Sequence, residues 1–216
     1  MITHSDLKEK QRALRAGFPE AFGLRIHRAI SWVGRAGDET DDHDLRFILM
    51  WIAFNAAYAR EDMTGLSAER EEFRVFFSRL VLGDKQNRIY QIMWTRYSQE
   101  IRLLLDNPYV FAPFWQHHNG VPGYADWEER FAAARRKTGQ ALVSRNTGAI
   151  LEILFDRLYM LRNQIVHGGS TWNSSVNRPQ VRDGAAILST LLPVFIDIMM
   201  ENHEFDWGRA YYPVVS

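Results

Sequence analysis

Apolar residues return at every third or fourth position almost throughout this chain, and the period-two alternation of half-buried strands is scarcely found. That periodicity predicts an all-α protein. Helices are expected near 5–15, 19–35, 42–61, 67–81, 85–105, 124–136, 147–167 and 182–201. A chain of 216 residues, 46% hydrophobic and 13% aromatic, can fill one substantial core, so a single compact domain with loose ends is expected. No repeat of roughly 20 to 50 residues stands out, which favours a helical bundle over a solenoid.

Two segments break the helical pattern. Asp106 to Trp127 holds three prolines, two glycines and many aromatics, and reads as a packed, irregular insertion. Gly168 to Pro179 is built of turn formers and reads as a mobile segment.

Lys and Arg number 26, as do Asp and Glu, so contact with nucleic acid would have to come from local patches rather than from a basic whole-molecule field. The absence of cysteine excludes disulfides, thiolate metal sites and a cysteine nucleophile. The first residues lack an apolar signal core, and the most apolar stretch, Phe47 to Tyr58, is too short for a membrane span; a cytoplasmic location is expected.

The segment from Asn146 to Gly169 carries the most specific pattern. Asn146 or Thr147 can cap its start, and Gly168 can take the left-handed position after its last turn. Winding at roughly 100° per residue puts Leu151, Leu154, Phe155, Leu158, Ile165 and Val166 on one side, with Arg162 inside that stripe. An arginine there must snorkel, pair with a carboxylate, or point into an interface. On the adjacent face Asp156, Tyr159, Asn163 and His167 form a polar column. His167, at the negative end of the helix dipole, suits a group that shuttles a proton, and equally a plain capping role.

Arg162-Asn163-Gln164-Ile165-Val166-His167 resembles the signature of the HEPN domains, an Arg, often with a polar residue next, followed by a His after four to six positions near a helix end. A second stretch is similar to bacterial HEPN proteins of the Apea-like branch, with Trp32 on one helix and Trp51, Phe54, Asn55 and Tyr58 on the next. The two likenesses lie within the helices from about 24 to 61 and 147 to 201, and imply an up-and-down HEPN-type bundle. Asn55, on a helix apolar nearly all round, reads either as a core amide capping neighbouring backbone or as support for Arg162 and His167.

The resemblance implies a homodimer whose motifs face one another across a cleft, and a metal-independent endoribonuclease of bacterial defence or toxin type. Arg162, Asn163 and His167 would be the catalytic residues, supported by Asn55, Asp156 and Tyr159. RNA would be cut by its own 2′-hydroxyl, leaving a 2′,3′-cyclic phosphate. The alternative is a non-catalytic HEPN dimer that binds RNA, a nucleotide or a protein partner. An antitoxin or other regulatory protein would fit either version. In toxins controlled by nucleotidyltransferases a modified tyrosine stands two positions after the histidine; here that position is Gly169, so control by that modification is not expected.

No cofactor and no metal are expected, since the seven histidines form no H-E-x-x-H and no pair at i, i+4 spacing. The acidic run Asp41, Asp42 and Asp44 around His43 reads best as the first turn of a helix. Arg135, Arg136, Lys137 and Arg145 before the motif helix, with Arg178 and Arg182 after it, are candidate RNA contacts or solvated faces. Trp115, Tyr124 and Trp127 could stack unpaired bases or anchor the long insertion, the second being favoured.

Overall fold

The computed structural model describes residues 1–59, 66–175, 177–208 and 212, with the side chains of 66–71 left aside. Among the described residues there are ten α-helices and no strand: α1 (His4–Leu14), α2 (Glu20–Gly37), α3 (His43–Tyr58), α4 (Leu66–Gly83), α5 (Arg88–Gln91), α6 (Ser98–Leu105), α7 (Ala112–His118), α8 (Trp127–Val143), α9 (Thr147–Val166) and α10 (Arg178–Glu201). The all-helical expectation is met. Residues 60 and 61, expected to end α3, lie outside the described residues. Compactness divides the chain into a first unit, Met1–Ile89 with Val181–Ser216, and a second, Tyr90–Gln180.

In the first unit α2 and α3 pack along one another. Phe22, Ile26, Ala29, Ile30, Val33 and Ala36 line the buried face of α2 at helical spacing. Gly34 lets α1 come close, because a Cβ there would stand 2.6 Å from the His4 ring. Asp42 starts α3 by accepting the Leu45 N–H at 2.9 Å, so it acts as a helix cap in the acidic run. Trp51, Phe54 and Tyr58 join an aromatic core: Phe54 stacks on Tyr58 with centroids 4.5 Å apart and on Phe77 at 6.2 Å, while Phe76 meets Phe195 and Trp207 edge-on. Arg25 is fully buried there and donates to the Ala57 and Gly208 carbonyls, which ties the residues after α10 to the end of α3.

A charged cluster closes the same unit. Lys10 Nζ reaches Asp197 at 2.7 Å and Glu201 at 2.8 Å, and Arg88 donates to the same two carboxylates. Asp84 accepts the Ile89 N–H at 2.7 Å and approaches Arg88 from the other side. Segments of high sequence separation are thereby joined at one point. α10, rather than Phe47 to Tyr58, is the segment with the length and apolarity of a membrane span. Of its most apolar window 83% is buried inside the protein, so the core accounts for that apolarity.

The second unit is built on α9, against which α6 and α8 both pack. The single helix expected over 85–105 is divided in three: α5, a π turn at Ile92–Arg96 closed by the Tyr97 N–H on the Ile92 carbonyl at 3.0 Å, and α6. The insertion is packed, as expected, but contains a 3₁₀ turn at Pro108–Val110 and the short α7. Phe114 sits against Trp127 at 5.0 Å and Trp115 at 5.1 Å, and Phe111 against Phe131 at 5.2 Å. These rings fasten the insertion to α8.

Candidate functional site

Asn146 caps α9, its side chain accepting the Ala149 N–H at 3.0 Å. The helix ends in a Schellman arrangement. The Gly169 N–H returns to the Gln164 carbonyl at 2.7 Å, the Gly168 N–H to the Ile165 carbonyl at 3.2 Å, and Gly168 takes φ +70°. A Cβ at Gly169 would stand 3.1 Å from the Gln164 carbonyl oxygen, so a tight backbone, not merely a flexible one, follows the motif.

Along α9 the buried residues are Ile150, Leu151, Leu154, Phe155, Arg157, Leu158 and Leu161. Cover stops there. Ile165, on the same side, is half-buried, and Val166 is 49% exposed. Arg162 therefore does not interrupt a buried stripe, as the winding suggested; it shares the azimuth of that stripe but lies past the end of its cover, half-buried.

The buried arginine of this helix is Arg157, which the sequence reading passed over. Only 2% exposed, it lies over the Phe111 ring at 4.5 Å and near Phe131 at 5.8 Å, and donates to the Val110 carbonyl at 3.4 Å. Burial pulls its guanidinium down to about 10, against the opposing pull of Asp156. It is still charged at neutral pH and holds the insertion to α9. Its apolar neighbourhood was hidden because Phe111 and Phe131 come from distant segments.

At the exposed end, Arg162 Nη1 donates to Asn163 Oδ1 at 2.8 Å. His167 is the residue that caps the helix, its backbone N–H on the Asn163 carbonyl at 3.0 Å. Its imidazole is exposed and makes no hydrogen bond or ion pair among the described residues. Asn163 thus contacts both, Arg162 through its amide and His167 through its backbone. Asp156 and Tyr159 are half-buried further back along α9, and Asn55 is half-buried on α3 in the first unit.

Gln164, between the motif positions, was not singled out from sequence. Its Nε2 donates to the Tyr109 carbonyl at 2.6 Å, and the Trp115 indole donates to the same oxygen at 2.7 Å. The insertion is in this way pinned beside the motif. Trp115 and Trp127 serve as anchors, and Tyr124 lies under Arg130 at 5.0 Å.

The basic residues are dispersed. Arg135 forks Asp106, Arg145 donates to the Tyr90 hydroxyl at 2.7 Å, Arg178 reaches the Ser174 carbonyl at 3.4 Å, and Arg182 pairs with Asp183 at 2.9 Å. Arg136 and Lys137 are exposed on α8. No protein-family model matches the chain, and no curated protein and no solved structure matches it significantly.

Proposed function

We propose that this chain is a metal-independent endoribonuclease whose active site forms where two copies bring the exposed ends of α9 together. One observation carries the reading: Arg162, Asn163 and His167 are joined through Asn163 at an uncovered helix end, with an imidazole that makes no hydrogen bond or ion pair among the described residues. A guanidinium has five donors, and only one bond to Asn163 is made, so the face of Arg162 can still take two phosphoryl oxygens. Val166 and Trp172, exposed by 49% and 74%, provide apolar surface next to the motif for a second copy.

In this reading the 2′-oxygen attacks the adjacent phosphorus and the bond to the 5′-oxygen breaks. A neutral His167 takes the 2′-hydroxyl proton, and a protonated His167 of the second copy returns one to the leaving oxygen. Arg162 stabilises the charge that builds on the phosphoryl oxygens, and Asn163 orients the guanidinium. The products are a 2′,3′-cyclic phosphate and a 5′-hydroxyl. The resemblance to HEPN proteins supports the same chemistry, a homodimer and a regulatory protein partner.

An RNA with a single 2′-deoxy nucleotide at the cleaved position tests the nucleophile: it should resist while its all-ribose counterpart is cut. Equal cutting of both would remove this mechanism. The non-catalytic reading, an RNA, nucleotide or protein binder, is favoured by one feature, that no side chain among the described residues holds the exposed imidazole by a hydrogen bond or ion pair. RNA binding that is unchanged in His167→Ala, without cleavage by the wild type, would select it.

A further inference from the structure

We propose that the groove between α6 and α8 is a second binding site, for a small amphipathic anion. It has a volume of about 590 Å³, within the range of roughly 300 to 1,000 Å³ that small-molecule pockets occupy. Ile150, in the small pocket that shares Ser98, Arg102 and Leu142 with it, and His167 stand at opposite ends of α9. The groove itself runs from Ser98 and Leu142 to Asp106, three residues before the Tyr109 that Gln164 holds, and Arg162, Asn163 and His167 are not among the residues that line it, so it is a separate site from the proposed cleavage residues.

Shape and charge define the ligand. Leu105 and Leu142 give the groove apolar walls, and Leu103 on its rim is 61% exposed. Gly139 opens the floor. It lies inside α8, where glycine costs about 1 kcal/mol relative to alanine, and a Cβ there would meet no atom within 4 Å. No close packing among the described residues requires that glycine, whereas a group seated over the backbone would. Asp106 is neutralised by the Arg135 fork, which has one arm at 3.3 Å. Arg102, by contrast, has neither an ion pair nor a side-chain hydrogen bond among the described residues. The groove is left with one uncommitted positive charge beside the Ser98 hydroxyl and the Gln99 amide, over an apolar bed. An aromatic or aliphatic body carrying one carboxylate or phosphate matches this arrangement.

Titration of the full chain with 8-anilinonaphthalene-1-sulfonate, an aromatic anion, provides the direct test. One saturable site per chain is expected. Arg102→Ala, an exposed position where the fold is retained, should weaken it about tenfold, and Arg102→Lys should recover part of the loss. Gly139→Leu should abolish it by filling the floor, with the melting temperature unchanged or raised. Displacement by adenosine monophosphate alone assigns a phosphate ligand, and displacement by octanoate alone a carboxylate one. Displacement by neither, no saturable site, or equal affinity in wild type and Arg102→Ala would overturn the proposal, whatever the outcome of RNA cleavage.

Discussion

Arg162 and Asn163 hold one another at the uncovered end of α9, Nη1 to Oδ1 at 2.8 Å, while the next residue, Gln164, is tied to the Tyr109 carbonyl of the insertion. Adjacent residues on a helix do not face each other, so the bond requires the long arginine side chain to fold sideways from the apolar azimuth. Among the described residues that bond is the only side-chain hydrogen bond Arg162 makes.

That relationship separates two losses. Arg162→Ala and His167→Ala should each lower RNA cleavage by a factor of about 100 to 10,000, the range for removing a positioned acid, base or charge. Both should leave stability within about 0.5 kcal/mol, because neither residue is buried. Asn163→Ala should lower cleavage less, since it frees the guanidinium without removing it. Cleavage rates and denaturant midpoints on the same preparations check this.

Arg157 should behave in the opposite way. Arg157→Ala removes a buried side chain from between Phe111, Phe131 and the Val110 carbonyl, and should cost about 2–4 kcal/mol in a urea titration. Arg157→Met keeps the volume and should recover part of the loss. If both arginines cost the same, the assignment of Arg157 as structural and Arg162 as functional fails.

The apolar repeat made most helices readable because burial of one face is what sustains them: α9 was expected over 147–167 and ends at Val166, and α10 keeps its expected end at Glu201. Periodicity could not show the breaks around α5, where the Asp84 carboxylate takes the Ile89 N–H, nor that α8 runs on through Gly139 to Val143. For the site, winding gave the azimuth of Arg162 but not how far along α9 the covering residues reach. That extent is set by segments distant in sequence. The same limit hid the Arg25 bonds and the cluster of Lys10, Arg88, Asp197 and Glu201.

The cluster has a pH signature. Burial acts to raise the Glu201 carboxyl, but the hydrogen bonds and charges of Lys10 and Arg88 together outweigh it and hold it below the ordinary glutamate value. A depressed carboxyl stabilises the fold above its unfolded pKa and loses that contribution as pH falls through the folded value. Stability should therefore drop on the acid side, below about pH 4.3. Glu201→Gln should flatten that branch. The gain at neutral pH is about 1 kcal/mol or less, since Glu201 is partly exposed. Melting curves from pH 3 to 7 on both proteins decide it.

At the helix exit, Gly168→Ala should cost about 1 kcal/mol, because φ +70° disfavours any Cβ. The same change should lower RNA cleavage, since the capping turn sets where the His167 ring stands. Retention of full cleavage alongside the stability loss would show that the turn does not position the imidazole.

The most direct measurement is incubation of the purified, folded chain with single-stranded RNA in excess EDTA, followed by analysis of the product ends. The account predicts cleavage to a 2′,3′-cyclic phosphate and a 5′-hydroxyl by the wild type, and intact RNA with His167→Ala. RNA that stays intact with the folded wild-type chain after prolonged incubation, or cleavage that EDTA abolishes, would contradict it.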